Sequence, residues 1–466
     1  MKTTITTLLL FWAWQVTAVA INDRGLGEVS LIPYYSVNNN LNTYVSVTNT
    51  TDRPKAIKVT FREGLNGYAG LSYNVYLNGY DTWTFVLAAG SSTVENFVGQ
   101  PSVQQLSNDA SCAPFLQKFG QQFFPFALID GPQDLSRLRE GFIEVIEMGE
   151  LTGDYAAAVQ TDFSDVPANC ELIEQAWLEG EEWDINPQSQ ISPATGGLMV
   201  TADLINVAEG MIYSIPTTSL VNFFPANTTN HTGPGDIDLS LDAAAPSALV
   251  ETPSKMYDLT FDRGVDAVSA VLMAKTLIGH FSLDTILAAE TDVIFTQPTR
   301  RFYITSRVSV APYNENLDVN GCDGNSYGGT AASGLDIDRE SRANISSPFA
   351  GPGPVLCGTV FVHSWQQPNQ NDQPPAITAS NNHQILNRSF FQDTTENGYR
   401  SISFLDTRML LAESSQGGTV ELAGLPVMGV SFFRFTNSNA EPGLLAQYGA
   451  SGRLKAVKSI SQPGLR

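Results

Sequence analysis

Residues 42–64, NTYVSVTNTTDRPKAIKVTFREG, decide the fold class. Val45 and Val47 alternate with polar residues, and after a polar break Ile57, Val59 and Phe61 do the same. A period of two is the signature of a half-buried strand, so the stretch reads as two strands and a turn, a hairpin with one apolar face. Asn49 to Pro54 supply the turn chemistry, and Pro54 opens the second strand, where its missing N–H does least harm. Nothing in the stretch is reactive. The same rhythm runs from residue 28 to 87 in EVSLIPYY, TYVSVTN, KAIKVTF, LSYNVYL and TWTFVLA, broken by NNN, NTTDRP and NGYAG. Five short strands with no helical period between them give an antiparallel sandwich rather than a parallel α/β sheet.

Further along, FFPFALI and GFIEVIEMG read as buried strands within the otherwise irregular stretch 99–190. NCELIEQAWLEG, 169–180, carries Leu172, Ala176 and Trp177 at helical spacing and ends in Gly180, which predicts a short helix. Strands return over 197–215, followed by a long polar loop, PANTTNHTGPGDIDLSLDAAAPS. The segment 262–281 fits a helix through Val265, Val268, Leu272 and Lys275, or a buried strand around AVSAVLMA. The Asn/Gly/Asp/Ser-rich stretch 313–354 reads as a large disulfide-tied loop, and QQPNQNDQPP, 366–375, as a low-complexity turn. The expected organisation is a signal peptide over 1–20, an immunoglobulin-like β-sandwich over 21–190, and a second β-rich domain with long polar loops over 191–466. One or two short helices complete a mainly β fold.

The first twenty residues, MKTTITTLLLFWAWQVTAVA, place Lys2 before an apolar run from Thr7 to Trp14 and end in Ala18-Val19-Ala20, a small-x-small cleavage pattern. The run is shorter than the ~20 residues that span a bilayer, so it reads as a leader cut before Ile21. Four cysteines suit an oxidising compartment and permit three pairings. Cys112 with Cys170 and Cys322 with Cys357 are favoured, because each pair brackets one loop-rich segment. Forty-seven acidic against 25 basic residues give a net charge of −22, which argues against nucleic acid or an anionic membrane as partner. Only 15% of residues are charged and 42% are hydrophobic, so a large core is available and no acidic disordered tail is implied.

The opening stretch resembles the strand–turn–strand of immunoglobulin-like sandwiches. Together with AVSAVLMA, TDVIFTQPTRRFYI and GLPVMGVSFF, in that order, it is similar to segments of a family of uncharacterised exported proteins of Gram-negative bacteria. The resemblance implies a cell-envelope or secreted location. It carries no activity and no catalytic residues with it.

Candidate chemistry is sparse. GNSYG, 324–328, matches the G-x-S-x-G pattern, but polar residues flank Ser326 where a nucleophile elbow needs a buried strand and a helix. His231, His280, His363 and His383 are scattered, with no metal-site spacing. Calcium is the one ion the composition suggests, since it takes six to eight oxygens from flexible loops. Asp318, Asn320 and Asp323, then Asp336, Asp338 and Glu340, form two such groups, and Asp236, Asp238 and Asp242 a third; none has EF-hand register, and solvated acidic loops explain each as well. Trp177, Trp183, Trp365 and Tyr80 with Trp83 are candidate sugar platforms, although Trp83 in an alternating strand reads as core. Five N-x-S/T sequons occur, at Asn49, Asn227, Asn230, Asn344 and Asn387.

The sequence therefore predicts an exported, disulfide-stabilised, acidic protein of the cell surface, periplasm or exterior. Its expected role is non-catalytic: surface structure, adhesion, or binding of a protein or carbohydrate ligand. No cofactor is required, calcium is only a candidate ion, no catalytic residue stands out, and the rival is a secreted polysaccharide hydrolase.

Overall fold

The computed structural model describes residues 18–125, 128, 131–161, 165–305, 309–313, 329–338, 343–346, 355–366, 374–387, 396–404, 407–441 and 444–463, with backbone only at 329–338, 343–346, 355, 366, 387, 439 and 444. The protein is mainly β. Its first part is a sandwich built from β1 (Ala20–Ile21), β2 (Leu26–Gly27), β3 (Val29–Ser36), β4 (Leu41–Asn49), β5 (Lys55–Glu63), β6 (Ala69–Leu77), β7 (Thr82–Ser91), β8 (Pro101–Leu106), β9 (Phe119–Gln122), β10 (Glu140–Leu151), β11 (Ile191–Ser192), β12 (Leu198–Asn206), β13 (Met211–Ile215) and β14 (Thr218–Val221). One sheet runs β1-β14-β3-β10-β5-β6 with β11 on β10; the other runs β13-β12-β4-β7-β8-β9 with β2 on β12. All these pairings are antiparallel.

The stretch 42–64 does form two strands, and Val45, Val47, Ile57, Val59 and Phe61 are fully buried as expected. They are not a hairpin. β4 pairs with β12 and β7, whereas β5 pairs with β10 and β6, so the two strands lie in opposite sheets and face each other across the core. Residues 50–54 arch over the edge of the sandwich. Asn49 holds this arch: its amide nitrogen donates to Arg53 O (2.7 Å) and Asn78 O (2.8 Å), and its Oδ1 accepts from Thr51 N (3.1 Å). Alternation buries one face of each strand in either arrangement, so period two alone does not separate an arch from a hairpin.

The sandwich also extends past the boundary expected at residue 190. β12 lies along β4 in register from Leu198–Asn49 to Asn206–Leu41, and β14 adds to β3. These pairings join residues far apart in sequence, which local patterning cannot reveal.

The region that follows contains β15 (Ser247–Glu251), β16 (Met256–Thr260), the helix α4 (Gly264–Leu272), β17 (Met273–Ala274), β18 (Thr276–Ser282), β19 (Glu290–Thr296), β20 (Gly329–Asp338), β21 (Ala343–Ser346), β22 (Val355–Cys357), β23 (Val360–Gln366), β24 (His383–Asn387), β25 (Asn397–Phe404), β26 (Leu410–Ser414), β27 (Thr419–Ala423), β28 (Leu425–Pro426), β29 (Met428–Glu441), β30 (Leu444–Arg453), β31 (Lys455–Val457) and β32 (Ser459–Ser461). They form three main sheets: β15-β16-β26-β27-β32, β21-β20-β25-β18-β31, and β24-β23-β19-β29-β30. The stretch 313–354, read as one loop, thus contains two strands. The ambiguous segment 262–281 holds both structures: all nine residues of α4 are buried, and the strand β18 follows. α4 is apolar nearly all round, as a helix enclosed on every side must be. Gly264 opens it where a Cβ would run into Ala244 O.

Three short helices, α1 (Gly153–Ala158), α2 (Cys170–Gln175) and α3 (Glu182–Ile185), precede β11 in the chain. The helix expected over 169–180 is therefore shorter, capped by Asn169, whose Oδ1 accepts from Leu172 N (3.1 Å). Cys112 and Cys170 form a disulfide with Cα atoms 5.1 Å apart, as expected. Cys357 is disulfide-bonded as well, and Cys322 lies outside the described residues.

One core fills the sandwich and takes in Ile294, Val360, Val362, Val430 and Phe432 from the later sheets, so the two parts share their interior. Because the later region covers the sheet containing β5, that sheet is buried on both faces. All nine residues of β5 are buried, Lys55, Lys58 and Arg62 included. Lys55 Nζ meets Glu147 at 2.7 Å, Arg62 Nε meets Glu144 at 2.6 Å, and Arg137 meets Glu63 at 3.0 Å. Residues expected in the leader are also built in. Val19 is fully buried, its N donates to Ser247 O (2.8 Å), and its O accepts from Leu249 N (2.9 Å). A cut before Ile21 would remove these contacts.

Candidate functional site

The sandwich is open along one flank, where β6 ends one sheet and β9 ends the other. Two bridges cross this flank: Tyr76 N donates to Cys112 O (2.9 Å), and Phe124 N donates to Gly70 O (2.7 Å). A cleft of about 440 Å³ opens here, lined by Gly70 to Ser72 of β6, Gly120 to Gln122 of β9, and by Thr93, Val94, Gln117, Phe124 and Gly235.

The lining is neutral. Among the described residues it offers amides, two hydroxyls, glycine backbone and apolar surface, and no group that titrates near neutrality. The glutamines are held in place: Gln122 Oε1 accepts from Thr93 N (2.9 Å), its Nε2 donates to Ser91 O (3.2 Å), and Gln121 Oε1 accepts from Gln117 N (3.3 Å). Phe124 is 44% exposed at the rim, the one aromatic side chain of the lining. Gly120 has φ +137° and open space around its Cβ position, which leaves the backbone accessible. Ser72 Oγ bonds Asp236 O (3.1 Å) and Thr60 Oγ1 (3.0 Å), with no base beside it to activate it as a nucleophile.

The residues singled out from sequence lie elsewhere. Asp318, Asn320, Asp323 and Glu340 are outside the described residues, as is Ser326. Asp336 and Asp338 sit on the backbone of β20 opposite Arg400 and Gly398, in a strand rather than a loop. Asp236, Asp238 and Asp242 form local turns, with Asp236 Oδ1 accepting from Asp238 N (2.8 Å) and Asp242 Oδ1 from Ser240 Oγ (2.7 Å). No group of three or more His, Cys, Asp or Glu suited to a metal occurs among the described residues.

Three of the five aromatic candidates are core, and Trp177 is half-buried. Trp83 and Trp183 are fully buried, Trp365 stacks on Phe281 at 4.2 Å, and only Tyr80 is well exposed. His363 is buried between Phe295 and Phe361, and His383 Nδ1 lies 2.6 Å from Ser380 O. His280 is exposed on β18. Asn49 is buried with its amide bonded, which removes it as a surface glycosylation site.

The buried carboxylates are equally committed. Asp292 accepts from Ser364 Oγ (2.6 Å), Thr378 N (2.8 Å) and Thr378 Oγ1 (2.9 Å), while Glu140 accepts from Tyr34 OH (3.0 Å) and Ser380 Oγ (3.0 Å). Burial raises both above the ordinary carboxylate range, with those hydrogen bonds opposing it.

The cleft residues were not legible as a site because they come from separate parts of the chain, and Gln117 to Phe124 fall in the irregular stretch 99–190. The one available signal was the density of glutamine there: Gln104, Gln105, Gln117, Gln121 and Gln122.

Fold and site together define a mainly β protein with a neutral cleft on the open flank of its sandwich. Comparison with protein-family models, with curated proteins and with solved structures finds no match to this chain.

Proposed function

We propose that the protein is an exported binding protein of the cell envelope or exterior, whose flank cleft takes a neutral, hydroxyl-rich ligand such as a short oligosaccharide. The observation that carries this reading is the lining itself. Fixed amides and hydroxyls beside one exposed phenyl ring suit a ligand that hydrogen-bonds along its edge and stacks on its face. General acid–base or nucleophilic hydrolysis needs titratable groups at the reacting atoms, and the described lining has none. Binding is therefore favoured over hydrolysis. Export is supported by the leader-like N-terminus, the cysteine usage and the acidic composition.

Calorimetric titration of the full chain with hits from a neutral glycan array tests the binding. Saturable binding that Phe124→Ala weakens about fivefold is expected, in line with a stacking contact of ~1 kcal/mol. Absence of any binding, or release of new reducing ends from polysaccharide, overturns the reading. Fractionation of the native host tests export.

A further inference from the structure

We propose that Lys458 is a carbonyl-trapping amine, which condenses with a small apolar aldehyde whose tail enters a hollow at the junction of the sandwich and the later β-rich region. Lys458 lies between β31 and β32. Two hollows meet at its side chain and share Ile21, Val271, Ala456 and Lys458 as lining. The inner one, of about 80 Å³, is walled by buried Val271, Leu272, Leu277, Val427 and Leu454. The outer one, of about 400 Å³, lies between exposed Asp23, Leu249, Glu251 and Met256, so solvent and small molecules reach the amine from that side.

The amine is only partly engaged. Its Nζ donates to Val271 O (2.6 Å), one of the last carbonyls of α4, which have no partner inside the helix. That bond uses a single N–H. A neutral amine keeps its lone pair and a second N–H, and both hollows adjoin it. Arg453, the other cation of the inner hollow, donates to Thr217 O.

The charge balance favours the neutral form. Burial lowers the Lys458 ammonium from 10.5 to about 8, opposed by Glu251 and, more weakly, Asp23 of the outer hollow. At pH 7 about one Lys458 in ten is then a free amine, against fewer than about one in a thousand for a lysine at its usual value. Desolvation in an apolar pocket is how lysines become Schiff-base formers.

The step is a condensation. The Nζ lone pair adds to the carbonyl carbon, a proton passes from nitrogen to oxygen, and the carbinolamine loses water to leave a C=N bond. Nothing is oxidised or reduced, and no co-reactant is needed. The inner hollow sets the tail. A cavity of ~150 Å³ lined by aliphatic and aromatic side chains holds benzene, so one of about half that volume suits a tail of roughly three carbons. The proposal does not depend on what the flank cleft binds.

The test is reductive alkylation of the full chain at pH 7 with butanal and cyanoborohydride, which reduces the imine to a stable secondary amine. Peptide mass spectrometry at low conversion gives the rate at each lysine. Lys458 should be alkylated at least tenfold faster than Lys255, Lys275 and Lys455, all exposed. Formaldehyde, which has no tail, should show that preference reduced several-fold, and unfolding in urea should abolish it. Alkylation of Lys458 no faster than the three exposed lysines, an equal preference with both aldehydes, or a preference that survives unfolding overturns the proposal.

Discussion

His231 gives the sharpest prediction, because its protonation is fixed by its partners. It sits 1% exposed in the polar loop after β14, with its ring 4.6 Å from Trp183 and 4.9 Å from Trp177. Nδ1 lies 2.6 Å from Pro187 O, a carbonyl that only accepts, so Nδ1 carries the proton. Nε2 then accepts from Tyr76 OH at 2.8 Å, and the Tyr76 oxygen accepts from Trp177 Nε1 at 2.9 Å. A second proton on Nε2 would meet a hydroxyl already oriented toward it.

Burial, helped by Lys58 and opposed by the Pro187 hydrogen bond, lowers the imidazole from 6.5 to about 4. A folded value below the unfolded one means stability present above pH 6.5 and lost as pH falls toward 4. At ~1.36 kcal/mol per pH unit, that interval amounts to about 3 kcal/mol. The assay is urea unfolding of the protein and of His231→Gln at several pH values from 7.5 to 4. The variant should be less stable at pH 7.5, and its deficit should shrink by about 3 kcal/mol by pH 4. Taking the difference between the two proteins cancels the buried carboxylates Glu28, Glu140, Glu147 and Asp292, whose raised values act in the opposite direction. A deficit that does not change with pH, or an imidazole that titrates near 6.5 by NMR, refutes the reasoning.

Three further outcomes are expected. Lys55→Met should cost about 3–5 kcal/mol by leaving fully buried Glu147 without its partner, and adding Glu147→Leu should recover most of it in denaturant titrations. Cys112→Ser with Cys170→Ser opens a link across 58 residues of sequence and should cost about 4 kcal/mol, read as a lower urea midpoint. A chain beginning at Ile21 should be about 3 kcal/mol less stable than one beginning at Val19, through lost burial and two lost hydrogen bonds.

The buried charged face of the sheet containing β5 bears on how the two parts of the chain find each other. Lys58 Nζ donates to Gly233 O (2.9 Å) and Asp236 O (3.1 Å), and Asn74 Nδ2 donates to Thr232 O (2.7 Å), so the polar loop after β14 is tied down over that face. Ion pairs in such a position contribute little net stability, yet breaking one is expensive. They penalise any docking of the later region that would leave a lysine or arginine unmet.

Sequence alone determined the strands of the sandwich, because alternation at period two follows directly from the pleat. Val45, Val47, Ile57, Val59 and Phe61 are core for that local reason. Cys112 and Cys170 were likewise assigned by the loop they bracket. Tertiary structure decided the rest. Whether β4 and β5 form a hairpin or an arch depends on β12 and β10, which lie over 70 residues further along the chain. Lys55, Lys58 and Arg62 read as an exposed face and are buried because a later region covers them. The flank cleft joins residues 70–72 to 117–124 and 235. None of its glutamines or glycines differs in sequence from an ordinary loop residue, and only the meeting of two sheet edges makes them a site.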